Sequence, residues 1–134
     1  MKTRRILSTV LALVFVLSTL TFGSLTVSAA VTEVYVDQTN GDDSAAGTVD
    51  APVKSLGAAF TKLGGAEGTV YIMGVYNSEA TWPSSSSEVT ISGYDETSKI
   101  TCTDSLGILF KSDLVFENIN ISLGTNAHFN SEGN

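Results

Sequence analysis

The sequence predicts a mainly β domain in which short strands stack as a coil of parallel turns, with one short α-helix near its start. Three observations predict this class: short segments of alternating apolar residues, one segment with helical periodicity, and few turn residues of the hairpin type. The alternating segments are 32–36, 69–73, 88–92, 99–103, 107–111 and 113–122. Alternate residues are aliphatic or aromatic, so each predicted strand buries one face.

The helical segment runs from Leu56 to Leu63. Apolar residues recur there at i, i+3, i+4 and i+7, the spacing of an amphipathic helix; they are Leu56, Ala59, Phe60 and Leu63. Ser55 is suited to the N-cap position because its hydroxyl can accept a hydrogen bond from the first turn. Gly64 and Gly65 are suited to end the helix.

The main alternative to a parallel coil is an antiparallel sandwich or barrel. That class would place Asn-Gly or Asp-Gly turns between neighbouring strands, but the one Asn-Gly pair, Asn40 and Gly41, lies in the loop before the helix. The spacing from Val70 to Val89 is 19 residues and from Val89 to Leu114 is 25. These values bracket the turn of about 20 to 25 residues expected for a solenoid, so the sequence favours the coil.

Residues 1–30 have the composition of a secretory signal peptide. Three basic residues among the first five precede an apolar run from Ile6 to Phe22 and a small-residue tail ending at Ala30, the order that such signals share. We therefore expect a secreted or cell-surface protein, cut after Ala30 in preference to the alternative site after Ala29, with residues 31–134 forming one domain. The alternative is an uncleaved membrane anchor. The short, basic-led segment is typical of bacteria.

The predicted mature chain is strongly acidic. The whole sequence contains 14 acidic and seven basic residues, and the signal segment holds three of the basic ones and none of the acidic ones. Four basic residues then oppose 14 acidic residues, a net charge of −10. Such a surface repels nucleic acid and anionic lipid, so we expect neither a nucleic-acid partner nor a membrane partner after signal cleavage.

The sequence contains no complete catalytic centre. Its single histidine, His128, and single cysteine, Cys102, supply neither a nucleophile–base arrangement nor a zinc site. Cys102 lies in an alternating segment, which predicts a buried thiol. We therefore assign no catalytic residue.

Three aromatic residues are candidates for carbohydrate binding. Trp82, with Tyr76 and Tyr94, offers ring faces that suit the apolar side of a sugar ring. The competing interpretation is that Trp82 packs a long loop against the helix.

The acidic loop after the first predicted strand is a candidate site for Ca²⁺ binding. Asp37, Asp42 and Asp43 offer oxygen ligands, although their spacing does not match an EF-hand. The competing interpretation is a solvated turn, and no other cofactor is indicated.

A set of residues between Val34 and Tyr76 carries a family resemblance. In order, it consists of the strand at Val34, Gly47 with Thr48, Pro52, the helix Leu56–Leu63, the strand Thr69–Ile72, and Gly74 with Tyr76. This stretch is similar to the opening of secreted right-handed parallel β-helix proteins of the pectate lyase-like superfamily. The later stretches VTISGYD and DLVFENINIS resemble rungs of those proteins, with Asn118 at the bend between two strands.

The resemblance implies a fold and a class of function. The helix would cap the N-terminal end of a β-helix, and residues 31–134 would supply this cap and the first two to three rungs. The full-length parent would bind polysaccharide or act on it by pectate lyase-like glycan cleavage, with an acidic plant or microbial glycan as its substrate. We expect the chain alone to be inactive, because the catalytic residues of that superfamily project from central rungs.

Two further hypotheses remain open, namely a non-catalytic adhesin-type stalk at the cell surface and a self-contained small secreted β-domain. The final stretch, LGTNAHFNSEGN, is typical of a turn between rungs, and no second cap follows it. Solenoids expose apolar surface at an uncapped end. We therefore expect either missing downstream chain or self-association at that end.

Overall fold

The computed structural model describes residues 29–78, 82–102, 107–110, 113–125 and 128–131. The predicted signal segment, except for its last two residues, lies outside these ranges. Within them, no helix is long and apolar enough to cross a bilayer.

One helix and nine short strands form the regular structure of these residues. The helix α1 spans Leu56–Leu63. In chain order the strands are β1 Glu33–Val36, β2 Gly68–Ile72, β3 Val75–Asn77, β4 Val89–Gly93, β5 Lys99–Cys102, β6 Gly107–Phe110, β7 Leu114–Glu117, β8 Asn120–Leu123 and β9 His128–Ser131.

The strands form three sheets, and every pairing in them is parallel. Sheet A has the order β1-β2-β4-β7, sheet B the order β3-β5-β8, and sheet C pairs β6 with β9. The chain contributes strands to sheets A, B and C in that order twice. The first set is β4, β5 and β6, and the second is β7, β8 and β9. The predicted mainly β class with parallel strands is confirmed.

An interior row of side chains fixes the register of sheet A. Val34, Val70, Ile91 and Phe116 lie side by side in successive strands. The first three have no exposed surface, and Phe116 is partly buried. Parallel strands lie about 4.8 Å apart, so neighbouring side chains in the row pack directly on one another. A slip of one residue would turn the whole row outward, which this packing opposes.

A second interior row runs through sheet B. Tyr76, Ile100 and Ile121 are register partners in β3, β5 and β8. Tyr76 and Ile100 are buried and belong, with the row of sheet A, to one apolar core. The hydroxyl of Tyr76 accepts a hydrogen bond from the Leu56 N–H at 3.2 Å. This bond joins sheet B to the start of α1.

The helix has the bounds and caps that the sequence predicts. The Ser55 hydroxyl accepts a hydrogen bond from the Ala58 N–H at 3.1 Å. Gly64 ends the helix in the left-handed conformation, with φ 64°, which a residue without Cβ adopts at little cost. The four apolar residues of the predicted stripe are buried, and α1 packs against β1.

The free edge of β1 is bonded to the loop that precedes α1. Tyr35 donates its N–H to the Gly47 carbonyl at 2.8 Å, and its own carbonyl accepts the Val53 N–H at 2.9 Å. The Asp37 N–H donates to the Val53 carbonyl at 2.9 Å. On the side of β1 that no other strand covers, both backbone groups of Tyr35 and the N–H of Asp37 are therefore satisfied by the loop.

The predicted bend at Asn118 is also present. Asn118 has φ 48° and separates β7 from β8 within the segment 113–122. Gly93, at the end of β4, lies against this bend. A Cβ on Gly93 would collide with the Asn118 carbonyl oxygen, so the close approach requires glycine.

Three details of the sequence prediction are wrong. The final stretch, predicted to be a turn, contains β9, and β3 was not predicted because three residues are too few to show a period. The length of the turn was counted from Val70 to Val89, but the register partner of Val70 is Ile91, and Val89 pairs with Gly68. Residues two apart in a strand share a face, so alternation alone does not distinguish these registers.

We expect Ile91→Ala to lower the free energy of unfolding by about 2–5 kcal/mol, because it leaves a void in the interior row between Val70 and Phe116. Thr90→Ala, one residue away on the opposite face, should cost less than about 1 kcal/mol. Urea denaturation of the purified variants measures both values. Equal losses would contradict the assignment of Ile91 to the interior.

Candidate functional site

The outer face of sheet A presents two rows of side chains. Successive strands contribute Tyr35, Tyr71, Ser92 and Glu117 to one row and Glu33, Thr69, Thr90 and Val115 to the other. Strand alternation places these residues on the face opposite the buried valines and isoleucines of β1, β2 and β4. All of them except the buried Ser92 are exposed or half-buried. Aromatic rings and hydroxyl groups thus lie together on one face of sheet A.

Three tyrosines of this surface form a cluster, here called the tyrosine cluster. The rings of Tyr35 and Tyr71 are stacked, with centroids 5.0 Å apart and planes inclined by 21°. Their separation follows from strand spacing, because the two residues are register partners in adjacent strands. Tyr94 meets Tyr35 edge-on, with centroids 5.8 Å apart and planes at 77°. Tyr94 is 46% exposed, so much of its ring faces solvent.

A tight turn holds Tyr94 in place. The Tyr94 N–H donates to the Ile72 carbonyl at 2.9 Å, which anchors it to the end of β2. Just after it, one carboxylate oxygen of Asp95 accepts hydrogen bonds from the Thr97 hydroxyl at 2.6 Å and the Thr97 N–H at 2.8 Å. The Asp95 N–H in turn donates to the Ser98 hydroxyl at 3.0 Å. The position of Tyr94 therefore depends on local hydrogen bonds as well as on ring contacts.

The tyrosine cluster lies in an acidic environment. The pKa of Tyr35 is raised above 10.0, first by loss of water around its hydroxyl and then by the nearby Glu33 carboxylate, with smaller effects from Tyr71 and Tyr94. A tyrosine hydroxyl is protonated at neutral pH with or without this shift, so that of Tyr35 can both donate and accept a hydrogen bond.

Three more carboxylates line the border of sheet A where its strands begin. Glu67, Glu88 and Asp113 each immediately precede a strand, β2, β4 and β7 respectively. The first residues of these strands, Gly68, Val89 and Leu114, are register partners, so the preceding residues also lie next to one another. All three carboxylates are exposed. We call this row the acidic border.

The structure separates the three aromatic residues that the sequence suggested as a platform. Tyr76 is 2% exposed and Trp82 is 3% exposed, whereas Tyr94 lies on the outer surface. The Trp82 Nε1–H donates to the Ser78 hydroxyl at 2.7 Å, and its ring meets Phe116 edge-on at 5.8 Å. Tyr76 and Trp82 are therefore core residues whose ring faces are not available to a sugar.

Sequence reasoning missed Tyr35 and Tyr71. Both occupy the same place in similar segments, EVYV and GTVYI, and both follow a buried valine. The repetition of Val-Tyr in two predicted strands was a usable indication, since stacking these segments in register places the rings together.

The acidic loop directs its carboxylates toward its own backbone. One oxygen of Asp37 accepts hydrogen bonds from the N–H groups of Thr39 and Asn40, both at 2.9 Å, and the other accepts from the Asn40 side chain at 3.0 Å. Asp42 accepts from the Ser44 hydroxyl and N–H. These contacts stabilise the turns that follow β1.

Asp43 reaches further along the chain than its neighbours. Its carboxylate accepts hydrogen bonds from the Lys54 N–H at 3.0 Å, the Ser55 N–H at 2.8 Å and the Ser55 hydroxyl at 2.9 Å. It therefore joins the loop to the N-cap of α1. Among the described residues, no group of three or more His, Cys, Asp or Glu side chains is placed to hold a metal ion.

Cys102 is buried, as predicted. Burial raises the pKa of its thiol, and a hydrogen bond with the Ser78 side chain opposes this effect. A raised pKa keeps the thiol protonated and weakly nucleophilic.

The comparisons with known proteins give no relative for this chain. No protein-family description matches it, and neither the curated proteins nor the solved structures contain a match. The geometry of the chain's own residues therefore carries the functional argument.

We expect Asp43→Ala to lower the free energy of unfolding by about 1–3 kcal/mol, because it leaves two backbone N–H groups and the N-cap hydroxyl without their acceptor. Asp50→Ala, exposed in the same loop, should change it by less than about 0.5 kcal/mol. Thermal and urea denaturation measure the difference. A small effect at both positions would show that the Asp43 bonds add little to stability.

Acid should destabilise the fold through its turn carboxylates. Partial loss of water raises the pKa of Asp37, but hydrogen bonds from Asn40 and Thr39 outweigh this and leave it below 3.8. Hydrogen bonds from Ser44 and from Thr97 likewise lower the pKa values of Asp42 and Asp95.

A pKa that is lower in the folded state means that the unfolded chain binds more protons. The stabilisation is present above pH 3.8 and is lost as the pH falls through the folded-state values. Urea denaturation at several pH values should show this loss, and Asp37→Asn should make the loss smaller. Stability that rises on acidification would contradict the assignment.

Proposed function

We propose that this chain forms the capped first coils of a right-handed parallel β-helix that is secreted, as a bacterial protein, and binds polysaccharide. The observation that supports the fold is the repeated passage of the chain through three parallel sheets, with α1 packed on the first strand. Crossovers between parallel strands of one sheet are right-handed in nearly all proteins. The repeated order of the three parallel sheets also agrees with the family resemblance in residues 34–76.

Secretion is supported by the sequence at the N-terminus. Residues 1–30 combine basic residues, an apolar run and a small-residue tail, as secretory signals do. Export would release an acidic domain, consistent with a protein that functions in the medium or at the cell surface.

The tyrosine cluster is the single observation that supports polysaccharide binding. A sugar ring has an apolar C–H face and a polar rim, so it is matched by an aromatic ring bordered by hydroxyl groups. Tyr94 supplies an exposed ring, and Thr69 and Thr90 supply hydroxyls in the neighbouring row of the same face.

The shape of the face also favours an extended ligand. The outer rows cross four strands, and three inter-strand spacings span about 14 Å. A face that crosses four strands suits a short length of glycan chain better than a single small molecule, which generally binds in a concave pocket. Cleavage of a glycosidic bond by the full-length parent is a separate step, which the family resemblance suggests and which the tyrosine cluster does not require.

We expect the purified chain to be retained by insoluble polysaccharides in pull-down experiments. Tyr94→Ala should weaken retention by roughly tenfold, because one stacking ring is lost. Val75→Ala is the matched control, since Val75 is 49% exposed but lies in sheet B.

Circular dichroism of each variant shows whether it is folded. If the folded chain is retained by none of a panel of plant and microbial polysaccharides, polysaccharide binding is wrong. Equal losses for the two variants would instead place binding outside the tyrosine cluster.

A further inference from the structure

We propose that the outer face of sheet A selects sugar chains without acidic groups and excludes those that carry carboxylates. This inference rests on the polysaccharide-binding function proposed above and specifies the ligand of the same surface. It departs from the acidic glycan that the family resemblance implies, and it follows from the charges that the register brings to this face.

Five exposed carboxylates surround the tyrosine cluster. Two belong to the outer rows and three form the acidic border; they are Glu33, Glu117, Glu67, Glu88 and Asp113. None of the strands β1, β2, β4 and β7 contains a lysine or arginine. A ligand lying along this face therefore meets negative charge on several sides, and the strands beneath it supply no compensating cation.

The distances on this face make the repulsion effective at low salt. The tyrosine row and the acidic border are four residues apart along the strands, about 13 Å, and the face is about 14 Å wide. At 0.01 M salt the screening length is about 30 Å, so all five carboxylates act on a carboxylate bound among the tyrosines. At 1 M salt this length is about 3 Å, and the repulsion is almost completely screened.

One of these carboxylates, Glu33, acts on the Tyr35 hydroxyl. After loss of water, the Glu33 carboxylate is the next largest cause of its raised pKa, because it disfavours a second negative charge nearby. A uronate placed on the same rings would experience the same effect. An uncharged sugar would not, and it could still stack on Tyr94 and hydrogen-bond to the hydroxyls of Thr69 and Thr90.

Polysaccharides that share a backbone but differ in charge test this selection. One pair is methyl-esterified and de-esterified polygalacturonate, and a second is hydroxyethyl cellulose and carboxymethyl cellulose. Isothermal titration calorimetry with the full chain at about 0.01 M salt measures the affinity for each polymer. In whichever pair the protein binds, the uncharged member should bind at least roughly tenfold more tightly. At about 1 M salt the difference should largely disappear.

Charge variants separate the local effect from the overall negative charge of the protein. Glu67→Gln with Glu88→Gln removes two carboxylates from the acidic border, and we expect roughly threefold tighter binding to the anionic polymer with no change for the neutral one. Asp42→Asn with Asp50→Asn makes the same change of charge in the loop before α1. This control should alter neither affinity appreciably.

The outcomes distinguish this inference from the proposed function. Equal or tighter binding to the anionic members at low salt would overturn the selection while leaving polysaccharide binding intact. Equal effects of the two double variants would also overturn it, because the preference would then reflect net charge alone. Absence of binding to either member of both pairs, together with failure of the pull-down panel, would reject the proposed function itself.

Discussion

The structure depends on the stacking of like residues in parallel, in-register strands. Val34, Val70 and Ile91 form a dry interior row, and a shift of one strand by one residue would expose its part of that row to water. The same register decides what lies on the opposite face. Tyr35 and Tyr71 meet because their neighbours Val34 and Val70 are paired in the core. The candidate site is therefore a consequence of how the core packs, rather than of interactions among its own residues alone.

Residues with a strong local pattern were predicted well from the sequence. The position of the helix Leu56–Leu63 was predicted closely, because a stripe of four apolar side chains, a serine cap and a glycine stop all agree. The bend at Asn118 followed from the family resemblance. Two strands were harder: β3 has three residues, too few to show alternation, and β9, with the sequence HFNS, contains a single apolar residue.

The candidate site was predicted less well, and the reason is physical. The sequence does not show by itself whether an aromatic ring is inside or outside, since Tyr76 and Tyr94 both follow a glycine by one or two residues. Tyr76 is buried, and its hydroxyl is hydrogen-bonded to the Leu56 N–H. Tyr94, which follows the end of β4, packs edge-on against the ring of Tyr35 in β1. Both outcomes depend on contacts between residues 20 or more positions apart in the chain. Composition and periodicity describe local stretches and do not predict such contacts.

The bonding of the β1 edge to residues 47–53 has a consequence for the behaviour of the protein in solution. An unprotected outer strand can recruit an extended segment from another molecule, and this is a common start of aggregation. At β1 the groups of Tyr35 and Asp37 that would bond to such a segment are already occupied by Gly47 and Val53. A strand from another molecule could pair with this side of β1 only after the loop was displaced. The loop therefore opposes edge-to-edge aggregation of the protein at β1.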